Sequence, residues 1–106
     1  MELYLPPYPA AVAEEYETFN NNHRQGSFMQ SLRWAGVKTD WSSALILSRG
    51  ADGTLRGGMQ VLIRAVPIFG YALLYAPRGP VCDPYDRETI LDLMEGVHKL
   101  AKQKHG

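Results

Sequence analysis

The chain has 106 residues, of which 45% are hydrophobic, and its 11 basic and 11 acidic side chains give a formal net charge of +0. This length corresponds to one small domain or to part of a larger one. A neutral chain lacks the overall electrostatic field that would drive binding to nucleic acid or to a membrane surface. Its longest apolar runs fall far short of the roughly 20 residues that a membrane-spanning helix requires.

The N-terminal segment and the cysteine content indicate in which cellular compartment the protein is found. Pro6 and Pro7 follow the first five residues at once, without the basic start and apolar core of a secretory signal peptide. The single cysteine, Cys82, excludes an internal disulfide framework. We therefore expect a soluble cytoplasmic protein.

The first 22 residues predict a short extended segment and a helix. Glu2 to Leu5 form the extended segment, and Pro9 suits the first turn of a helix, where its missing N–H group would be unpaired in any case. The apolar residues that then recur at helical spacing are Val12, Tyr16 and Phe19. This pattern predicts an amphipathic helix from about Pro9 to Phe19, ended by the asparagines at 20–22.

A second helix is expected to begin at Ser27. Ser27 and Gln30 have the spacing of a capping box and follow Gly26. Gly36 is placed to end this helix in a left-handed cap. Lys38 would then lie just past the helix end, where a cation is electrostatically favourable.

Three segments rich in β-branched and aromatic residues predict an antiparallel meander of strands at about 42–48, 55–66 and 71–75. Gly57 and Gly58 lie inside the second of these strands. Two interpretations of this pair are open: a bulge or close backbone approach, or a simple twist point, which we favour.

A proline-rich loop and a last helix follow the strands. Residues 76–83 contain two prolines, which fix φ, and a glycine beside Arg78, so this segment predicts a rigid loop that presents one charge. Asp83 or Asp86 is expected to cap the helix. Its apolar stripe consists of Ile90, Leu93, Met94, Val97, Leu100 and Ala101. The order of elements predicts an α+β fold, a three-stranded antiparallel meander packed with helices.

The residues with reactive side chains do not form a catalytic or metal-binding pattern. His23 has no second histidine, cysteine or carboxylate at ligand spacing, which argues against a metal site. Cys82 has no base near it in sequence and is expected to be a small buried thiol. For Arg78, we favour an ion pair with Asp83 or Asp86 that fixes the loop. The alternative is phosphate binding through its guanidinium and neighbouring amides.

Several segments together resemble the N-terminal part of the FemABX-type transferases. They are Phe28-Met29-Gln30-Ser31 with Trp34 and Lys38, Val61-Leu62-Ile63-Arg64 with Pro67, and Leu74-Tyr75-Ala76-Pro77-Arg78-Gly79-Pro80-Val81 with Asp83 and Asp86. The resemblance runs from about Phe19 to Ala101. Its most specific part is the tyrosine, arginine-glycine-proline loop that follows a strand.

The resemblance implies that residues 1–106 are the N-terminal portion of a single acetyltransferase-like (GNAT-like) domain, with the remainder of the parent protein absent. It implies an aminoacyltransferase that uses aminoacyl-tRNA to extend the stem peptide of a UDP-linked or lipid-linked peptidoglycan precursor, without a metal or organic cofactor. In the family, a lysine after this tryptophan contacts the precursor diphosphate, and Lys38 occupies that position. The family implies a pair of such domains, and it implies that the chemistry is carried mostly by the second one, which would lie outside this chain. We therefore assign no catalytic residue and expect this chain alone to be inactive.

Two other classes of function stay open. The chain could be a non-catalytic binding or dimerisation module that pairs through an exposed sheet edge. An acetyl-CoA-dependent acetyltransferase is disfavoured, because Pro80 removes an amide where that family binds pyrophosphate.

Overall fold

In the computed structural model, the described residues are 1–24, 26, 30, 32, 42–66, 71–76 and 79–104. They form, in chain order, β1 (Glu2–Tyr4), α1 (Ala10–Asn22), β2 (Ser42–Arg49), β3 (Leu55–Val66), β4 (Tyr71–Tyr75), β5 (Val81–Cys82) and α2 (Arg87–Lys104). The predicted α+β class is confirmed. The helix predicted from Ser27 lies largely outside the described residues.

The strands form one antiparallel sheet with the order β1-β2-β3-β4, and β5 pairs with β3. The predicted meander is the centre of this sheet. The extended segment at the N-terminus pairs with β2 and places Leu3 opposite Ile46. The short strand β5, which places Val81 opposite Gly58, was not predicted.

The sheet is covered by a helix on each face. Ala44, Ile46 and Val61 point toward α2, where Leu93 and Leu100 are fully buried. Leu45, Leu47 and Leu55 belong to the cluster on the opposite face, around Tyr16 of α1. A strand covered on both faces is apolar at successive positions, which explains the continuous run at 44–47.

The glycine pair in β3 lets both helices approach the sheet closely. A Cβ atom on Gly57 would lie 2.6 Å from Cγ2 of Thr89 in α2, and one on Gly58 would lie 2.7 Å from Cε1 of Tyr16 in α1. The register also shifts between Ser48 and Arg49, which leaves one extra residue in β3. The favoured interpretation of a simple twist point was therefore wrong, and the close-approach interpretation is correct.

The first helix is longer than predicted. It continues through Asn20 to Asn22, although three asparagines in sequence were expected to end it. Asn20 is 3% exposed and lies one turn after Tyr16, on the buried side of the helix. The backbone of Gly26 packs so closely on the Asn20 carbonyl that no side chain would fit at 26. Packing therefore overrides the modest helix propensity of asparagine.

Arg49, at the end of β2, forms ion pairs with a residue of β1 and a residue of α1. Its Nε donates to Oε2 of Glu2 at 2.9 Å, and its Nη1 and Nη2 donate to the two carboxylate oxygens of Glu15 at 2.8 and 2.7 Å. A hydrogen bond from Tyr4 and the contact with Arg49 lower the pKa of Glu2. Arg49 lowers the pKa of Glu15. The ion pairs therefore favour the charged carboxylates in the folded state.

We expect Arg49→Gln to lower the free energy of unfolding by about 0.2–1 kcal/mol per exposed ion pair near neutral pH. Both carboxyl groups have folded-state pKa values below the reference value of 4.5. Their contribution is therefore complete above that pH and is lost as the pH falls through the lowered values. The difference between wild type and variant in urea unfolding should shrink as the pH falls below that reference value. A difference that is constant with pH would contradict this role.

Candidate substrate-binding loop

Two candidate substrate-binding residues lie outside the described residues: Lys38, which the family resemblance assigns to the diphosphate, and Arg78, for which phosphate binding is the alternative to an ion pair. The chain on both sides of Arg78 is described, at Ala76 and from Gly79 onwards. The amide of Gly79 donates to the carbonyl oxygen of Ala76 at 3.2 Å. The two ends of the loop that carries Arg78 are thus joined by a backbone hydrogen bond.

This hydrogen bond limits how the loop could bind an anion. The sequence analysis considered phosphate binding by the Arg78 guanidinium together with neighbouring amides. The Gly79 amide is already used within the loop, and Pro80 has no N–H group. Neither Gly79 nor Pro80 therefore offers a free amide to an anion.

Gly79 packs against the side-chain amide of Gln30. A Cβ atom on Gly79 would lie 2.9 Å from Cδ, Oε1 and Nε2 of Gln30. Among the described residues, the glycine with positive φ is Gly53, so conformation is not what requires glycine at 79. The contact with Gln30 requires it.

The Gln30 side chain is fully buried and hydrogen-bonded to the backbone of Gln60 in β3. The Gln60 amide donates to Oε1 of Gln30 at 2.9 Å, and Nε2 of Gln30 donates to the Gln60 carbonyl oxygen at 3.1 Å. On the same side of β3, Leu62 pairs with Tyr75 and Gly58 pairs with Val81. The Gln30 amide therefore bonds the edge of β3 between the ends of β4 and β5, as a strand would.

Tyr16 holds Gln30 from the side of α1. Its hydroxyl donates to the backbone carbonyl oxygen of Gln30 at 2.6 Å. Burial raises the pKa of Tyr16 far above its usual value of 10.0, so the hydroxyl stays protonated and remains a donor. Gln30 is thus held by α1 and β3, and Gly79 lies against it.

The residues after the loop make local contacts. Asp86 caps α2, since its two carboxylate oxygens accept hydrogen bonds from the amide and the hydroxyl of Thr89 at 3.2 and 2.6 Å. The other predicted cap, Asp83, accepts from the Tyr85 amide instead. These hydrogen bonds with Thr89 lower the pKa of Asp86. An ion pair between Arg78 and either aspartate stays a prediction.

Cys82 lies in β5 and is 3% exposed. Burial, together with the nearby charges of Asp86 and Asp83, raises the pKa of its thiol. The thiolate that a nucleophile needs is disfavoured in this position. The prediction of a small buried thiol is confirmed.

Two surface cavities lie beside the described residues. One, of about 360 Å³, lies between residues 22–24 at the end of α1 and residues 83–85 after β5, and it contains His23. A larger one, of about 560 Å³, lies between the β2–β3 turn and α2.

No group of three metal-ligating side chains occurs in the described part of the chain. None of the described helices is both long and apolar enough to cross a bilayer.

Sequence reasoning missed the role of Gln30. It treated Gln30 as the partner of Ser27 in a capping box, and Ser27 lies outside the described residues. The bonds from Gln30 to Gln60 join residues 30 positions apart. A single glutamine in the sequence does not form a pattern that predicts such a contact.

Comparison with known proteins gives matches over most of the chain. A family model described as the FemAB family matches residues 12–106. A lipid II:glycine glycyltransferase of Staphylococcus aureus (strain bovine RF122) is 33% identical over 91 residues, covering 84% of this chain and 21% of the relative. One from Staphylococcus haemolyticus (strain JCSC1435) is also 33% identical, with 84% and 22% covered.

A solved structure is similar as well. The crystal structure of FemX superposes with a TM-score of 0.82 at 29% identity, covering 98% of this chain and 25% of that chain. The chain spans about a fifth of the length of the curated relatives that it matches.

Proposed function

This chain belongs to the FemAB family, and from that premise we propose that it is part of a cytoplasmic aminoacyltransferase that builds peptidoglycan bridges. Its α+β fold superposes on a quarter of the FemX chain, which is consistent with part of a GNAT-like domain. In the proposed assignment, residues 1–106 are the N-terminal portion of that domain. The observation that carries the proposal is the family match over residues 12–106.

In the proposed reaction, an amine of the precursor stem peptide attacks the ester carbonyl of aminoacyl-tRNA. An amide bond forms, the ester C–O bond breaks, and the amine proton passes to the departing ribose oxygen of the tRNA. The relatives are named for lipid II and glycine, which supports a muramyl-peptide acceptor. This chain would contribute by positioning the acceptor, and the chemistry would be completed by the rest of the protein.

Lys38 and Arg78 are the residues proposed to bind the precursor. A lysine ammonium is a compact charge that suits a diphosphate, and an arginine can donate two parallel hydrogen bonds to phosphate oxygens. The described residues on either side of Arg78 support this role, since Gly79 donates to the Ala76 carbonyl oxygen and packs on Gln30, which places both ends of this segment.

We expect Lys38→Ala in the full-length protein to weaken binding of the UDP-linked muramyl pentapeptide by roughly 10-fold to 100-fold, because a hydrogen bond to a charged group contributes about 1.5–3 kcal/mol. Binding of the same peptide without the diphosphate should be unchanged. Isothermal titration with both ligands measures this difference. Lys102→Ala, which removes an exposed lysine of α2, is the matched control. Equal losses for the two ligands would contradict a diphosphate contact.

The alternative of a binding or dimerisation module needs a sheet edge that is free to pair. At one edge, β1 has three residues, and the charged side chain of Glu2 is held by Arg49. Short strands with charged side chains oppose edge-to-edge pairing. This edge therefore disfavours the alternative, and pairing through the opposite edge stays a prediction.

A further inference from the structure

We propose that β1 is a detachable edge strand: it opens from β2 as a unit while the rest of the described fold is kept, and the ion pair between Glu2 and Arg49 sets how often it opens. Such opening is a local equilibrium, distinct from unfolding of the whole domain. It is independent of the proposed function, because it concerns contacts within the described fold alone.

The strand β1 is bound to the sheet less firmly than the strand that it covers. None of the three residues of β1 is fully buried, whereas residues 43–48 of β2 are all buried. Leu3 packs partly against the cluster on the α2 side of the sheet, and Tyr4 packs partly against the cluster on the α1 side. A segment that buries little apolar surface opens at a lower free energy than the core does.

The residues after β1 give the opening a natural boundary. Leu5, Pro6 and Pro7 are exposed. The next residue, Tyr8, is held to β2 by a hydrogen bond of 2.8 Å between its hydroxyl and that of Ser43. The strand can therefore leave the sheet from residues 5–7 while Tyr8, α1 and β2 stay in place.

Arg49 holds β1 from a position that the opening does not disturb. Its Nη1 and Nη2 donate to the carboxylate of Glu15 in α1, and Nη1 also donates to the Gly53 carbonyl oxygen at 3.2 Å. None of these hydrogen bonds involves β1, so the guanidinium stays oriented with its Nε available to Glu2. An oriented partner loses little side-chain entropy when the ion pair forms again.

The charged contacts of β1 are sensitive to salt. The side chains of Arg49 and Glu2 are 23% and 38% exposed. On the other face of the sheet, the Met1 amine donates to Oδ1 of Asp92 at 3.1 Å. Salt screens such ion pairs, since the Debye length falls from about 10 Å at 0.1 M to about 3 Å at 1 M. A rise in ionic strength therefore favours the open state of β1.

The test is hydrogen exchange of the backbone amides that join β1 to β2, measured in the full-length protein and expressed as an equilibrium constant for opening. Low concentrations of urea should leave this constant nearly unchanged, because opening of three residues exposes little surface. The same urea should accelerate exchange at the centre of β3, which requires unfolding of the sheet. Equal urea dependence at the two places would overturn the proposal.

A double-mutant cycle with Glu2→Gln and Arg49→Gln assigns the opening to the ion pair. Glutamine at position 2 keeps an oxygen that can accept the hydrogen bond from the Tyr4 hydroxyl. We expect Glu2→Gln to raise the opening constant by about 2-fold to 5-fold, as for loss of an exposed ion pair. In the Arg49→Gln background the same substitution should change it by less than about 1.3-fold. Equal effects in the two backgrounds would overturn the proposal.

Glu14→Gln is the matched control, because it also removes one negative charge, from an exposed residue of α1 that takes part in none of the contacts of β1 given above. Its opening constant should equal that of wild type. An effect as large as that of Glu2→Gln would overturn the proposal, since net charge would then control the opening.

Salt provides a second measurement. Raising the ionic strength from about 0.05 M to about 1 M should increase the opening constant of wild type, and the increase should be smaller in Glu2→Gln. The Met1 contact with Asp92 accounts for the salt dependence that remains in the variant. An opening constant of wild type that is independent of salt would overturn the proposal.

Discussion

Tyr16→Ala is expected to lower the free energy of unfolding by about 3–5 kcal/mol, as is usual for truncating a buried aromatic residue. The ring is fully buried in the cluster between α1 and the sheet and lies against Gly58. Its removal leaves a cavity and takes away the donor to the Gln30 carbonyl oxygen. Urea unfolding at equilibrium measures the change.

Tyr16→Phe is the matched control, because it keeps the ring and removes the hydroxyl alone. The lost donor leaves the Gln30 carbonyl oxygen without this hydrogen bond, which should cost about 1–3 kcal/mol. The alanine variant should therefore be clearly less stable than the phenylalanine variant. Equal stabilities would mean that packing of the ring contributes little.

Leu93→Ala is expected to destabilise the protein by about 2–5 kcal/mol, because Leu93 is fully buried between α2 and the sheet. Its Cδ1 lies 3.2 Å from the position that a Cβ atom on Gly57 would take, so the helix and β3 are in close contact here. The midpoint of urea unfolding should fall accordingly, with little change in the slope.

Leu91→Ala is the control for that substitution. Leu91 lies in the same helix, two residues earlier, and is 57% exposed. Leucine and alanine have similar helix propensities, so this change should alter stability by no more than about 0.5 kcal/mol. A large loss for Leu91→Ala would mean that α2 packs on the sheet through another face.

Elements whose hydrophobic residues follow a clear pattern were predictable from the sequence. The stripe of α2 repeats over several turns, and Leu93 and Leu100 from that stripe are buried as expected. The strands at 42–49, 55–66 and 71–75 were bounded by turn residues, and their bounds agree with prediction within one residue. Both signals are local, which is why no knowledge of the rest of the fold was needed.

Features that depend on distant contacts were not predictable. The strand β5 has two residues, too few to show alternation, and it exists because β3 offers a partner at Gly57 and Gly58. The continuation of α1 through Asn20 depends on packing that the sequence of the helix does not contain. For the glycine pair, sequence could state the alternatives, and contacts with both helices decided between them.

The candidate site was predictable only as a chain segment. The prolines and glycine of 76–83 predicted a rigid loop, but Val81 and Cys82 form β5, and Pro77 and Arg78 lie outside the described residues. A backbone hydrogen bond from Gly79 to Ala76 joins the two described sides of this segment. What anchors it, the amide of Gln30, arrives from a segment about 50 residues earlier. The roles of Lys38 and Arg78 follow from family resemblance and stay predictions.

The hydrogen bonds between Gln30 and Gln60 also separate β4 from β5 along one edge of β3. Because a side chain satisfies the edge of β3 at Gln60, the register of β4 is independent of the register of β5. Residues could be inserted or deleted between Tyr75 and Gly79 without shifting either pairing. Such changes would instead be taken up by the Ala76–Gly79 hydrogen bond and by the contact between Gly79 and Gln30.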